Sequence, residues 1–275
     1  MLTFTDCLRR LTPPLLQEAA RSLRRPGYRL FARESKRLRA MPRFQPTTSR
    51  LLGNEIEIVD GRGFLTAYTE IFQRRIYQFN ARTDTPLILD CGANVGLSVI
   101  FFKRLYPRCR VVAFEPDPRI FAALQRNLQR LDLSGVELHQ EAIWTAAGFV
   151  DFFPQGGDAG RIAKRGDATG LTRVAAVRLK DFLSRQVDFL KLDIEGAEAD
   201  VLFDCRNELT NVAHLFVEYH SHSQEKQRLQ DILQIVQEAG FRYHVKEAFT
   251  SANAYLHRKL NCGMDLQLNV FGYRE

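Results

Sequence analysis

From residue 86 onward, short apolar runs alternate with amphipathic stretches, and this alternation restricts the fold more than any other feature of the chain. Strands are expected at 86–90, at 110–115 ("RVVAFE"), at 135–142 ("GVELHQEA"), at 187–193 ("VDFLKLD") and at 214–220 ("HLFVEYH"). Between them, apolar residues recur at helical spacing. Leu97, Ile100, Phe101 and Leu105 precede Pro107; Ile120, Phe121, Leu124 and Leu128 form a second set; Leu229, Ile232, Leu233 and Val236 precede Gly240. Asp117 is placed to cap the second helix, with Pro118 in its first position, and a further helix starts at Gly196. Strands and helices alternating in this way build a mostly parallel sheet covered on both faces, a doubly wound α/β fold. The last two runs, "FRYHVKEA" and "LQLNVFGYR", have no helix between them and predict a closing antiparallel hairpin.

The flanks and the insertions differ in character. The first 50 residues hold 12 Lys and Arg against 3 Asp and Glu, in a chain whose formal charge is +7. Basicity therefore belongs to the leading segment, and the rest is near neutral. Residues 1–50 are expected to form a basic helical extension, and 51–275 the main domain. Leu15, Leu16, Ala19 and Leu23 share a helical face, Pro26-Gly27 interrupts it, and residues 41–50 read as a linker. Such a basic face is either solvated or meets an anionic partner such as a membrane surface. "NEIEIVDGRGF" predicts a hairpin turning at Asp60-Gly61, and "AYTEIFQRRIYQF" (67–79) predicts a helix. The glycine-rich stretch 145–180 breaks the alternation and is expected to form an inserted hairpin or lid. Five scattered cysteines without a CxxC predict reduced thiols, no zinc site and a cytoplasmic setting. No apolar window is long enough to cross a bilayer, and charge precedes any apolar run at the N-terminus, so no secretory signal is expected.

In a doubly wound sheet, ligands bind beyond the carboxyl ends of the strands. The acids found there are Asp90, Glu115, Glu141, Asp193 and Glu218. In "LILDCGANVG" (87–96), Gly92 permits a turn closed to other residues, and the following helix start offers free N–H groups. A pyrophosphate turn would be spaced GxGxxG. Here three residues separate Gly92 from Gly96, and Asp90 precedes them. An acid repels a pyrophosphate and attracts an ammonium, so the turn favours a nucleoside with an amino-acid tail; S-adenosylmethionine fits. The same spacing argues against a nicotinamide dehydrogenase. Glu115, at the end of the second strand, can accept hydrogen bonds from both ribose hydroxyls. Glu141 falls where an acceptor for an adenine amino group would be needed.

In "DFLKLDIEGAE", strand alternation puts Lys191, Asp193 and Glu195 on one side, and a lysine so placed requires a carboxylate partner. Glu198 fits the preference of a helix start for acids. In "HLFVEYHSHS", Glu218, His220 and His222 recur at period two. His220 or Glu218 is a candidate general base, with Asp193 and Glu195 shaping the site. Asp193, Glu195, Glu218 and His220 would alternatively hold a divalent cation through oxygens and one imidazole.

Together, "LILDCGANVGLS", "AFEPDP" and "DFLKLDIEGAEADVL" resemble the FkbM-type family of S-adenosylmethionine-dependent methyltransferases, with the likeness running from "EIFQRRIYQF" to the C-terminal strands. The resemblance implies a class I, Rossmann-like methyltransferase fold with a seven-stranded sheet whose last strand is reversed. It implies methyl transfer to oxygen, commonly a hydroxyl of a sugar, glycan or polyketide-type natural product. It places Asp90, Gly92, Ala93, Asn94 and Gly96 at the methionine end, Glu115 at the ribose, Glu141 and Ala142 by the adenine, and Asp193 close to the sulfonium. Two other readings stay open: an RNA 2′-hydroxyl methyltransferase, and a non-catalytic cofactor-binding scaffold. "HLFVEYH" holds no lysine and no aromatic-rich basic platform is visible, which argues against nucleic acid. Intact acids at every cofactor position argue against the scaffold.

Overall fold

The computed structural model describes residues 26–157, 160–163 and 169–274. The helical face through Leu15 and Leu23 lies outside these residues, as do 158–159 and 164–168 of the glycine-rich stretch.

Helix α1 (Pro26–Ala40) begins where an interruption was expected. Proline is suited to a first helical position, where its missing N–H costs nothing. Leu38 of α1 is wholly buried in the same apolar cluster as Phe64, Ile100 and Phe216, so this part of the basic segment packs on the main body. The expected linker contains a short strand, β1 (Thr47–Ser49), which pairs antiparallel with β2 (Ile56–Ile58). The expected turn at Asp60-Gly61 is instead a helix start. Asp60 caps α2 (Gly61–Tyr68) by accepting the N–H of Gly63 at 2.8 Å. The helix predicted over 67–79 is thus shifted towards the N-terminus: α2 runs into a π-helical turn, Thr69–Gln73, and ends there.

The expected alternation follows. Strand β3 (Leu87–Cys91) leads to α3 (Leu97–Leu105), β4 (Arg110–Phe114) to α4 (Pro118–Arg130), and then comes β5 (Val136–His139). Asp117 caps α4, accepting from Arg119 N at 2.8 Å, with Pro118 in its first position. The predicted strand 135–142 is split, because β6 (Ala142–Trp144) leaves for a second sheet. That four-stranded sheet also contains β7 (Gly148–Phe153), β8 (Arg161–Ile162) and β9 (Thr172–Arg178), in the order β6-β9-β7-β8. The chain returns to the main sheet with β10 (Val187–Leu192), α5 (Glu198–Asp204), β11 (Val212–His222), α6 (Leu229–Glu238), β12 (Arg242–Phe249) and β13 (Met264–Tyr273).

The main sheet has seven strands in the order β12-β13-β11-β10-β3-β4-β5. β13 runs antiparallel to both neighbours, β11 and β12, while the pairs among β11, β10, β3, β4 and β5 are parallel. The doubly wound fold with a reversed last strand is therefore as expected. Two large apolar clusters cover its faces, one centred on Phe102 and Phe216 and the other on Leu190 and Val217. Strand order reverses between β3 and β10, which opens a crevice at their carboxyl ends.

Candidate active site

A cleft of about 490 Å³ opens at that crevice. Its floor is the junction of β3 with β10, where Asp90 and Lys191 are register partners. Gly92 adopts φ 88°, and a Cβ there would overlap the carbonyl oxygen of Asp193. The two strand ends are thus packed as closely as backbones allow. Gly96, at φ 95°, starts α3, and a Cβ there would lie 2.7 Å from Leu124 Cδ1. Both glycines are required by close approach as well as by backbone angle.

Of the residues expected at the site, Gly92, Ala93, Asn94, Glu115, Glu141, Ala142, Asp193, Glu195 and Glu218 line the cleft. Asp90, Gly96 and His220 do not belong to its wall. Asp90 has no exposure; it accepts a hydrogen bond from Ser98 Oγ and lies 3.3 Å from Lys191 Nζ. Its expected direct contact with a ligand ammonium is therefore corrected. The carboxylate is turned into the sheet, where the lysine neutralises it. Lys191 also lies 3.2 Å from Asp193 Oδ2 and donates to Gly92 O at 2.7 Å, tying the turn to β10. Burial alone would discharge this lysine, but Asp193 and Asp90 hold its pKa well above the ordinary value.

Glu115 is 6% exposed and is oriented by two backbone donors: Asn94 N at 3.0 Å on Oε2 and Asp117 N at 2.9 Å on Oε1. Burial raises its pKa to about 7, against the pull of those N–H groups. Phe114, Ile120 and Ile143 add apolar wall beside it and beside Glu141. This end of the cleft sets the carboxylates of Glu115 and Glu141 among apolar side chains, a setting that can accept hydrogen bonds from a ribose and an amino-bearing base.

At the other end, acids converge. Asp193, Glu195 and Glu218 line the cleft, and His220 Nε2 sits behind them at 3.8 Å from Asp193 Oδ1, 3.6 Å from Glu195 Oε2 and 3.9 Å from Glu218 Oε1. Burial would lower the pKa of His220, but Glu195 and Glu198 with Glu218 raise it well above the histidine norm. His220 is buried and lies off the cleft wall behind these carboxylates, so the structure does not bring it to an acceptor as the general base expected of it. Burial, reinforced by Asp193, raises the pKa of Glu218.

Two contributions escaped the sequence reading. Glu198 is 1% exposed; its Oε1 lies 2.9 Å from His220 Nδ1 and accepts from Ile194 N and Gly196 N. Its signal, an acid three residues after Glu195 at a helix start, had a sufficient explanation in the helix dipole. Glu70, in the π-helical turn, also faces the cleft, and burial raises its pKa. π-turns of this kind often accompany functional sites. Glu70 is the one acid in "AYTEIFQRRIYQF", and that was its only mark.

The model of the methyltransferase FkbM domain matches residues 90–243, from the glycine turn to the start of β12. Methyltransferase 1 of Beauveria bassiana is 34% identical over 160 residues, covering 49% of this chain and 64% of that protein. The 2-O-methyltransferase NoeI of Sinorhizobium fredii is 32% identical over 157 residues, covering 49% of this chain and 63% of its own length. The chain thus spans a little under two thirds of these relatives. The crystal structure of a methyltransferase FkbM from Methylobacillus flagellatus superposes with a TM-score of 0.50 at 16% identity, over 88% of this chain and 58% of that one.

Proposed function

The chain belongs to the methyltransferase FkbM domain family, and we propose from that premise that it transfers a methyl group from S-adenosylmethionine to a hydroxyl oxygen of a sugar, glycan or polyketide-type natural product. The observation that carries this reading is the polarity of the cleft. One end presents Glu115, oriented by two backbone donors, with Glu141 beside it, and the other gathers Asp193, Glu195 and Glu218. A nucleoside with a sulfonium matches both ends, since its ribose needs an acceptor and its cationic sulfur favours nearby carboxylates. A dinucleotide would set its pyrophosphate against those acids.

The donor fits the residues present. Gly92, Ala93 and Asn94 would hold its methionine end, Glu115 its ribose, and Glu141 with Ala142 its adenine. S-adenosylmethionine supplies a methyl carbon already activated towards displacement. The protein's task is then to align the acceptor oxygen and remove its proton. Glu218 lines the cleft and is assigned the proton; its carboxylate would take the hydroxyl hydrogen as the acceptor oxygen bonds the methyl carbon and the C–S bond breaks to release S-adenosylhomocysteine. Lys191 and Asp90 position the turn from beneath, and Phe152 and Ile162 of the second sheet, with Gly157 and Gly160 between those strands, line the cleft. Direction towards oxygen is supported by the relative named as a 2-O-methyltransferase.

Radiolabelled S-adenosylmethionine offered with a panel of glycans, polyols and RNA tests the reading. Label is expected in a hydroxyl-bearing small molecule or glycan, and Glu218→Gln is expected to lower kcat by about 10²–10⁴. Label entering RNA alone would overturn the acceptor class. An undiminished Glu218→Gln rate would remove that residue from the proton's path.

A further inference from the structure

The two ring nitrogens of His220 have opposite surroundings. The residue is 4% exposed in β11. Nδ1 is fixed 2.9 Å from Glu198 Oε1, and that oxygen is itself held by Ile194 N at 3.2 Å and Gly196 N at 3.0 Å. Nε2 is buried and makes no hydrogen bond among the described residues. It faces the carboxylates of Asp193, Glu195 and Glu218 at 3.6–3.9 Å. These separations exceed a hydrogen bond, yet they suit donors grouped about a common centre. Around a six-coordinate ion with bonds of about 2.1 Å, adjacent donors stand about 3 Å apart and opposite ones about 4.2 Å. One ligand atom each from Asp193, Glu195 and His220 falls within 4.8 Å of the others.

The local backbone is shaped for this convergence. Glu195 occupies the left-handed region at φ 57°, where a side chain with a Cβ is disfavoured, and Gly196 follows at φ 102°. Beyond β10 the Glu195 carboxylate lies 3.6 Å from His220 Nε2 on β11. Asp193 divides its oxygens: Oδ2 lies by Lys191 Nζ at 3.2 Å, while Oδ1 faces His220. Glu198 fixes the ring so that Nε2 points inward, the role that outer carboxylates play for metal-bound histidines.

We propose that Asp193, Glu195 and His220 form a divalent-cation site, of the Mn²⁺ or Mg²⁺ type. Two carboxylates and one imidazole are a mostly hard donor set, with thiolates absent from it. Asp193 and Glu195 line the cleft while His220 lies behind them, so the remaining coordination positions open towards the acceptor end. There the ion would draw charge from an acceptor hydroxyl and weaken its hold on the proton. Glu218, outside the three-ligand group, is left to receive that proton. This use of the ion rests on the methyl-transfer reading; the site itself does not.

Mn²⁺ alone is the probe, titrated into the full chain without donor or acceptor, with free Mn²⁺ read from its paramagnetic resonance signal. One ion per chain is expected, displaced by excess Mg²⁺. Glu195→Gln and, separately, Glu198→Gln are expected to weaken binding by at least about tenfold. Glu238→Gln, on the exposed side of α6, should leave it unchanged. Melting curves in chelator identify which variants are folded, and Asp193→Asn replaces any that is not. Absence of stoichiometric binding to the wild-type chain, or binding undiminished in folded Glu195→Gln, overturns the site. Failure here leaves methyl transfer standing, whereas Mn²⁺ binding with no affinity for S-adenosylmethionine would sink the methyl-transfer reading alone.

Discussion

Glu115 is the residue on which the proposed donor end of the cleft turns, and its ionisation gives a direct handle. Burial raises its carboxyl to about 7. Below that pH the group is protonated and loses acceptor capacity; above it both oxygens accept. Affinity for S-adenosylhomocysteine is therefore expected to rise as pH passes from about 6 to about 8 and then to level, by at most about tenfold per unit. Calorimetry across that range in wild type and in Glu115→Gln checks the sign, since the glutamine variant should bind weakly with a flat profile. A flat wild-type profile would remove Glu115 from the contact. At this scale the sequence discloses which acids end strands but not which way they point. Asp90 lies within β3 opposite Ala113, two residues short of the level of Glu115, and is buried beside Lys191, its register partner from β10. That partner is a hundred residues away in sequence, so only the pairing of the strands identifies it. Glu198 shows the converse: a local explanation was complete, and the buried contact with His220 added nothing visible to the sequence pattern.

At the scale of elements, Asp60 marks where local chemistry was ambiguous. A short acid that accepts an N–H two or three residues ahead serves a turn and a helix cap equally. Here Asp60 Oδ2 caps α2 through Gly63 N, while Oδ1 accepts Phe44 N and Arg43 Nε, both at 3.0 Å. Phe44 sits at φ 59°, so the bond from Asp60 also holds a strained residue in place. Asp60→Ala is expected to lower unfolding stability by about 2–3 kcal/mol, the loss of a cap plus stranded donors, measured by urea denaturation. A change below about 0.5 kcal/mol would mean that the cap and the strap over α2 are independent of this side chain. The long, periodic elements were legible because period and stop signals agreed. Asp117 and Pro118 predicted α4 because cap and first residue pointed the same way, and their contacts are as expected. The second sheet was not legible as a sheet. Its β6 pairs in parallel with β9 some thirty residues later, across a glycine-rich stretch with no regular period.

Over the whole molecule, the two ends of the cleft differ in how they are built. The end proposed for the donor rests on β3, β4 and the turns after them, which the sequence pattern discloses. The rest of the cleft is lined by α2 and its π-turn, by Phe152 and Ile162 of the second sheet, and by Asn261, Cys262 and Met264 before and at the start of β13. Each of these lies where the strand-helix alternation breaks, so periodicity could not assign them to the site. No helix among the described residues is long and apolar enough to cross a membrane. The basic helix α1 and the near-neutral body share one core, through Leu38. What unites these parts is a cleft that runs from the carboxylate of Glu115 to the cluster of Asp193, Glu195 and Glu218, and the proposed donor is chosen by that arrangement. Isothermal titration with S-adenosylhomocysteine, run beside NAD and repeated in Glu115→Gln, tests this most directly. The account predicts one S-adenosylhomocysteine per chain, roughly tenfold or more weaker in Glu115→Gln, and no competition from NAD. Absence of S-adenosylhomocysteine binding, or binding that Glu115→Gln leaves intact, would contradict it.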